Sequence, residues 1–199
     1  MFDIKKITKE QQQKSSWAGG TTTQFAIYPE DSKYADRDFI WRLSSAVVEL
    51  EESNFTSLPG FDRHLMVLEG NLRLVHHEHH SVMLNQYEHD SFKGCWDTVS
   101  YGRATDYNLM LKEGAKGRLE HYNAAVGKQI SIKLIKEGNK QGFFALFCYI
   151  GQISIEAKGE FDTLAEGELL IISYDDSLVI TAENNGNKEC SLVAAFIEI

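Results

Sequence analysis

Proline is almost missing from this sequence, with two in 199 residues, and cysteine is scarce, with three. Cys95, Cys148 and Cys190 are odd in number, widely spaced and without a CxxC pair. That excludes a disulfide framework and a zinc ribbon. Cys148 sits in the apolar run Phe143-Phe144-Ala145-Leu146-Phe147 and reads as a buried, inert thiol. No apolar run approaches the roughly 20 residues needed to cross a bilayer. The start, Met1-Phe2-Asp3-Ile4-Lys5-Lys6, lacks the apolar region of a signal peptide, so a cytoplasmic location and no membrane partner are expected. Basic residues are outnumbered, 20 against 29 acidic, for a net charge of −9. Such a surface repels phosphate backbones, which excludes nucleic acid as a partner. It does not exclude a small anion, because a few arginines can dominate a closed pocket. Extended 3.6-residue periodicity is also lacking. Lys9 to Ser16 is polar and reads as a loop or one short helical turn.

What is present is glycine, 15 residues of it, and many short apolar runs between Gly, Asn, Asp and Ser clusters. These runs predict strands at 25–28, 39–50, 64–68, 71–76, 82–84, 107–111, 130–135, 143–150, 152–156, 168–173, 178–182 and 190–199. An internal repeat organises them. Leu65-Met66-Val67-Leu68-Glu69-Gly70-Asn71-Leu72-Arg73-Leu74 resembles Leu146-Phe147-Cys148-Tyr149-Ile150-Gly151-Gln152-Ile153-Ser154-Ile155. Each copy then reaches a leucine (Leu84, Leu164), a glutamate (Glu88, Glu168) and an apolar residue (Phe92, Ile172) at matching intervals. A duplicated all-strand unit of about 80 residues implies two small β-barrels of one design. Strand-turn-strand units with a glycine after the first strand are the material of the cupin jelly roll. The expected fold is therefore all-β: two cupin-like halves, 1–120 and 121–199, with the boundary in Gly114–Gly127.

His76-His77-Glu78-His79-His80 carries metal-ligand residue types. His77-x-His79, with Glu88 or His89 further on, imitates the ligands of metal-binding cupins. The run lies between two predicted strands, however, and the second copy has an ordinary turn there, Glu156-Ala157-Lys158-Gly159. It is read as a hairpin tip, and no metal or other cofactor is expected. A second group is more informative. Alternation along Trp41–Ala46 puts Arg42, Ser44 and Ala46 on one face, and along Asp106–Met110 it groups Asp106, Asn108 and Met110. The turn Leu58-Pro59-Gly60 delivers Arg63 to the mouth of the next strand. If both faces look inward, Arg42, Ser44, Asp106 and Asn108 line one hollow with Arg63 at its rim. Arginine suits carboxylates because its planar fork donates two parallel hydrogen bonds. The competing reading is a buried Arg42–Asp106 ion pair that satisfies only itself.

The chain resembles the HutD/Ves family of bicupin-like proteins. The resemblance rests on Trp17 with Gly19-Gly20-Thr21-Thr22, Trp41–Ala46, Phe55–Arg63, Leu68-Glu69-Gly70 and Asp106–Met110, in order and at fitting spacing. It covers roughly residues 17 to 114; the second half fits only as a generic cupin-like strand pattern. It implies a small-molecule-binding protein tied to histidine utilisation, taking an intermediate such as N-formylglutamate in a regulatory role. The Ves branch is linked to stress. The resemblance carries over no catalytic residue and requires no metal. The family's basic residue and asparagine after Trp17 are missing. Thr23-Gln24 replaces an Arg-Glu pair, and Leu111-Lys112 replaces Thr-Arg. These departures touch the expected pocket edge.

The candidate ligand-binding residues are thus Arg42, Ser44, Arg63, Asp106 and Asn108, with Thr22 from the Gly-Gly-Thr-Thr run. The preferred reading is a non-enzymatic protein that binds a small acidic metabolite. In it the arginines hold carboxylates and Asp106 orients Arg42 or accepts from a ligand amide. The alternative is a metal-dependent cupin oxygenase or isomerase using the His76–His80 region. A third reading is an interaction module, with strands 143–150 and 192–199 offered to a second copy in a homodimer, against their burial in their own core.

Overall fold

The structure is a computed structural model, and it describes residues 2–136 and 138–199. The chain forms two compact units. One is residues 12–115; the other combines residues 2–11 with 116–199. The first strand, β1 (Phe2–Ile7), pairs with β17 (Leu169–Tyr174), so it belongs to the C-terminal half rather than to the half it precedes. In Gly114–Gly127, expected to hold the boundary, the division falls at Ala115 and a strand starts at Lys116.

The N-terminal half contains β2 (Gln13–Trp17), β3 (Gly20–Tyr28), β4 (Trp41–Val48), β5 (Glu52–Asn54), β6 (Phe61–Gly70) and β7 (Leu72–His76). It continues with β8 (His80–Leu84), β9 (His89–Lys93), β10 (Thr98–Tyr101) and β11 (Ala104–Lys112). Besides β17, the C-terminal half has β12 (Lys116–Ala124), β13 (Gln129–Leu134), β14 (Gly142–Ile150), β15 (Gln152–Ala157), β16 (Glu160–Ala165), β18 (Leu178–Glu183) and β19 (Cys190–Glu198). Short 3-10 turns occur at Lys9–Gln11 and Tyr34–Asp36. Among the described residues no helix is long and apolar enough to cross a membrane.

Each half is a two-sheet jelly roll rather than a closed ring of strands. The large sheets run β2-β3-β4-β11-β6-β9 and β1-β17-β14-β19-β12; the small ones run β5-β10-β7-β8 and β13-β18-β15-β16. Matching β6 to β14 makes the order β4-β11-β6-β9 equivalent to β12-β19-β14-β17, and the small sheets correspond strand for strand. The repeat thus shows in topology. It extends to single hydrogen bonds: Val67 N–H donates to Glu88 O and Cys148 N–H to Glu168 O, each at 3.0 Å. The Glu88 carboxylate accepts from the Asn85 amide at 2.8 Å, and that of Glu168 from the Ala165 amide at 2.9 Å. The two glutamates noted in the sequence therefore pin equivalent turns.

The core follows the apolar faces. Leu65, Val67, Leu72, Leu74, Leu84 and Phe92 cluster in the N-terminal half. Phe144, Leu146, Ile153, Ile155, Leu164 and Ile172 are among the larger cluster of the C-terminal half. Strands β14 and β19, offered above to a second copy, lie at the centre of their sheet with their side chains almost all buried. Burial of that kind leaves them no free edge to pair. Cys148 is buried as expected, its sulfur 3.8 Å from that of Cys190.

Gly70 joins β6 to β7 with φ +81°, and an added Cβ would stand 2.6 Å from the Arg103 carbonyl oxygen. Gly60 has the same φ with nothing within 4 Å. Gly60→Ala should cost about 1 kcal/mol for the left-handed backbone alone. Gly70→Ala should cost at least roughly 1 kcal/mol more, through its clash, as read by urea unfolding.

Candidate functional site

Strand β11 lies between β4 and β6, and its register sets three ranks of side chains on one face. Met110 stands between Arg42 and Arg63, Asn108 between Ser44 and Leu65, and Asp106 between Ala46 and Val67. On the far side of β4, β3 adds Thr22 opposite Ala46 and Gln24 opposite Ser44. Of these ranks, all but Leu65, Val67 and Gln24 line a cavity of about 320 Å³, at the small end of ligand pockets. Arg42, Ser44, Arg63, Asp106, Asn108 and Thr22 all line it, so the structure brings together the six residues named as candidate ligand-binding residues, while the His76–His80 region lies outside it. Ser53 and Ser100 reach it from the small sheet, while Trp17, Tyr34 and Phe55 supply aromatic walls.

The two arginines are held differently. Arg42 Nε donates to Gln24 Oε1 at 2.7 Å, its Nη1 donates to Ser44 Oγ at 3.0 Å, and its guanidinium sits 4.4 Å from the Tyr34 ring centre. Arg63 does not stand at the rim. The strand already starts at Phe61, so Arg63 is an interior strand residue, 7% exposed. Its guanidinium packs over Phe55 at 4.6 Å and near Phe92 at 5.5 Å, and its Nε is buried with no hydrogen-bond partner. Asn108 Oδ1 is likewise buried and unpartnered.

Asp106 is not the partner of either arginine. Among the described residues, neither guanidinium makes an ion pair with a carboxylate. Asp106 Oδ1 instead accepts from the Ala46 amide at 3.2 Å, and Arg42 is oriented by Gln24 and Ser44. The self-satisfied Arg42–Asp106 pair is therefore not formed. Burial pushes the Asp106 carboxyl up to about 7, with the Ala46 amide, Arg63 and Arg42 pulling the other way. Burial also brings Arg63 down to about 10 and lowers Arg42. Both guanidinium groups stay charged at neutral pH, so the cavity is cationic within an acidic protein. Its lining includes no histidine, and two cations would repel a metal ion; the residues do not fit the metal centre of a metal-binding cupin.

Matching positions in the other half are filled or neutralised. Register equivalence puts Phe144 where Arg63 stands, Leu192 at Asp106, Ala194 at Asn108 and Phe196 at Met110. Arg118 matches Arg42 but stacks on Phe196 at 3.8 Å and pairs with Glu120 at 2.7 Å. A hollow of about 250 Å³ remains there, lined in part by Lys116, Arg118 and Lys133.

The histidine run divides. His77, Glu78 and His79 form the exposed turn between β7 and β8, as expected of a hairpin tip, whereas His76 and His80 are strand residues facing each other.

The comparisons agree with this architecture. The HutD family model matches residues 9–190. The chain belongs to the HutD family. A conserved protein of unknown function from Pseudomonas aeruginosa PAO1 is similar over 98% of both chains, at 20% identity and TM-score 0.83. HutD from Pseudomonas fluorescens SBW25, in a formate condition, matches 97% of this chain and 98% of its own, at 19% identity and TM-score 0.71. A vicilin from Solanum melongena, described as holding different anionic ligands in structurally similar pockets, matches 92% of this chain and 81% of its own, at 9% identity and TM-score 0.64. At these identities the likeness is one of fold. The search of curated proteins found no match.

Gln24, Tyr34 and Phe55 were missed in the sequence. Gln24 shares a face with Thr22, but the strand expected there began only at 25; Tyr34 sits in a 3-10 turn and Phe55 follows the three-residue β5, so neither lies on a strand. The nearest signal was Gln24 itself, where the family usually places a charged residue.

The Asp106 assignment can be checked through stability. An unfolded Asp106 ionises near 3.8, the folded one near 7. Between these values the unfolded chain has already released the proton that the fold retains. Stability therefore falls as pH rises from about 4 to about 7 and stays low above, by on the order of 4 kcal/mol. Asp106→Asn keeps the acceptor for Ala46 without the charge. Its stability relative to wild type should improve by a few kcal/mol between about pH 4.5 and about pH 8 in urea titrations.

Proposed function

We propose that this HutD-family chain is a cytoplasmic binding protein for a small carboxylate-bearing metabolite, acting without catalysis in a regulatory role. The observation that carries this reading is Arg63: a buried guanidinium with an unpartnered Nε, in a cavity shared with Arg42 and without an ion-paired carboxylate. Leaving such a donor unsatisfied is costly, and a carboxylate supplies the acceptors that it lacks. The two arginines flank Met110 from the strands on either side of β11, about 9–10 Å apart at the backbone, a span suited to a short diacid. The free Oδ1 of Asn108 calls for an N–H donor on the ligand, and Ser44 and Thr22 offer further hydroxyls. A diacid with an amide N–H meets all of these demands, and N-formylglutamate, the intermediate that the family suggests, is one. The anionic ligands described for the similarly folded vicilin agree with this use of the fold.

Calorimetry with N-formylglutamate tests the assignment. Arg63→Ala and Arg42→Ala should each weaken binding by about 2–5 kcal/mol while the protein stays folded. Wild-type affinity in Arg63→Ala would remove that residue from the site. The pH dependence has a definite sign. Asp106 is neutral below about 7 and anionic above, so affinity for an anion should fall as pH rises through 7, with proton uptake on binding. Asp106→Asn should flatten that profile.

A further inference from the structure

We propose that His76, His80 and Asp90 form a binding site for one divalent transition-metal ion, separate from the arginine cavity and independent of what binds there. His76 and His80 are directly opposed on β7 and β8, and Asp90 comes from β9 in the other sheet of the same half. The Nε2 atoms of His76 and His80 lie 2.9 and 3.0 Å from a single oxygen, Oδ2 of Asp90, and the three atoms are within 4.8 Å of one another. Two imidazoles and a carboxylate are the donor set of zinc, iron, cobalt and nickel sites. Ligands about 2.1 Å from an ion stand about 3.0 Å apart at right angles and about 3.4 Å apart at the tetrahedral angle, so the two nitrogen–oxygen separations of 2.9 and 3.0 Å are close to those of ligands sharing one ion.

The surroundings are those of oriented ligands. His76 is buried, and its Nδ1 is 2.8 Å from Thr98 Oγ1, whose hydroxyl lies 3.3 Å from the Trp96 carbonyl. When that hydroxyl donates to Trp96, it accepts from His76 Nδ1–H. In that tautomer the lone pair of His76 Nε2 points to the side of the Asp90 carboxylate, and both can be presented to one ion. The other Asp90 oxygen accepts from the Ser91 amide at 2.9 Å, which fixes the carboxylate. The His76 ring packs on Phe92 at 4.5 Å, and His80 meets the Trp96 ring edge-on at 5.8 Å. His80 is 41% and Asp90 17% exposed, leaving one side open for ion entry and for water in the remaining positions.

Zinc titration of the full-length, tag-free chain after chelator treatment tests the site. The expected result is one zinc per chain, weakened more than roughly tenfold in His80→Ala and in Asp90→Asn. A His77→Ala variant, which changes the exposed tip and leaves the His79 stack on Trp96 intact, should bind as wild type does. His80 is half-exposed, so its variant is expected to fold, which circular dichroism would verify. Absence of stoichiometric zinc, wild-type affinity in folded His80→Ala, or loss of binding in the tip variant would each overturn the proposal.

Discussion

Strand β11 is hydrogen-bonded on both sides, to β4 and to β6, and a one-residue slip against either neighbour would turn its polar side chains to the opposite face. Correct register places Asp106, Asn108 and Met110 beside Ala46, Ser44 and Arg42 on one flank and beside Val67, Leu65 and Arg63 on the other. The bulge between Thr105 and Asp106 in the β6 pairing takes up the irregularity before this stretch, so the three ranks are in phase from Asp106 onward. The cavity, its charge and the environment of Asp106 all follow from that alignment.

The same scaffold occurs twice and is used in opposite ways. In the C-terminal half the equivalent ranks carry Phe144, Leu192, Ala194 and Phe196, and the one matching arginine is answered by Glu120. Aromatic and aliphatic groups there supply packing; in the N-terminal half the same positions hold Arg63, Asp106 and Asn108, and Arg63 Nε and Asn108 Oδ1 are left without a hydrogen-bond partner. Buried polar groups weaken a fold unless something answers them. The apolar half bears no such cost in its interior ranks.

Strand parity made much of the site legible in advance. Alternation along 41–46 and 106–110 is a property of the backbone, so the grouping of Arg42, Ser44, Asp106 and Asn108 needed no coordinates. The turn at Pro59-Gly60 misled about Arg63 because β6 begins at Phe61, three residues before the strand expected at 64–68. β1 and β12 escaped notice for a related reason: lysine, aspartate and glutamate alternate with their few buried residues, and pairing rather than hydrophobicity defines them. The histidine run shows a limit of another kind. Its tip was readable from the flanking strands, but the approach of Asp90 to His76 and His80 depends on how two sheets face each other, which no local pattern encodes.

Because β1 pairs in the C-terminal sheet while β2 through β11 build the other half, the N-terminal half is, in covalent terms, an insertion between the first strand and β12. Two peptide links join the halves, at 11–12 and at 115–116. A single nick at either link leaves the halves still connected through the other. During synthesis β1 emerges first but must wait for β17, so the inserted half has all its strands before the sheet containing the first one can be completed.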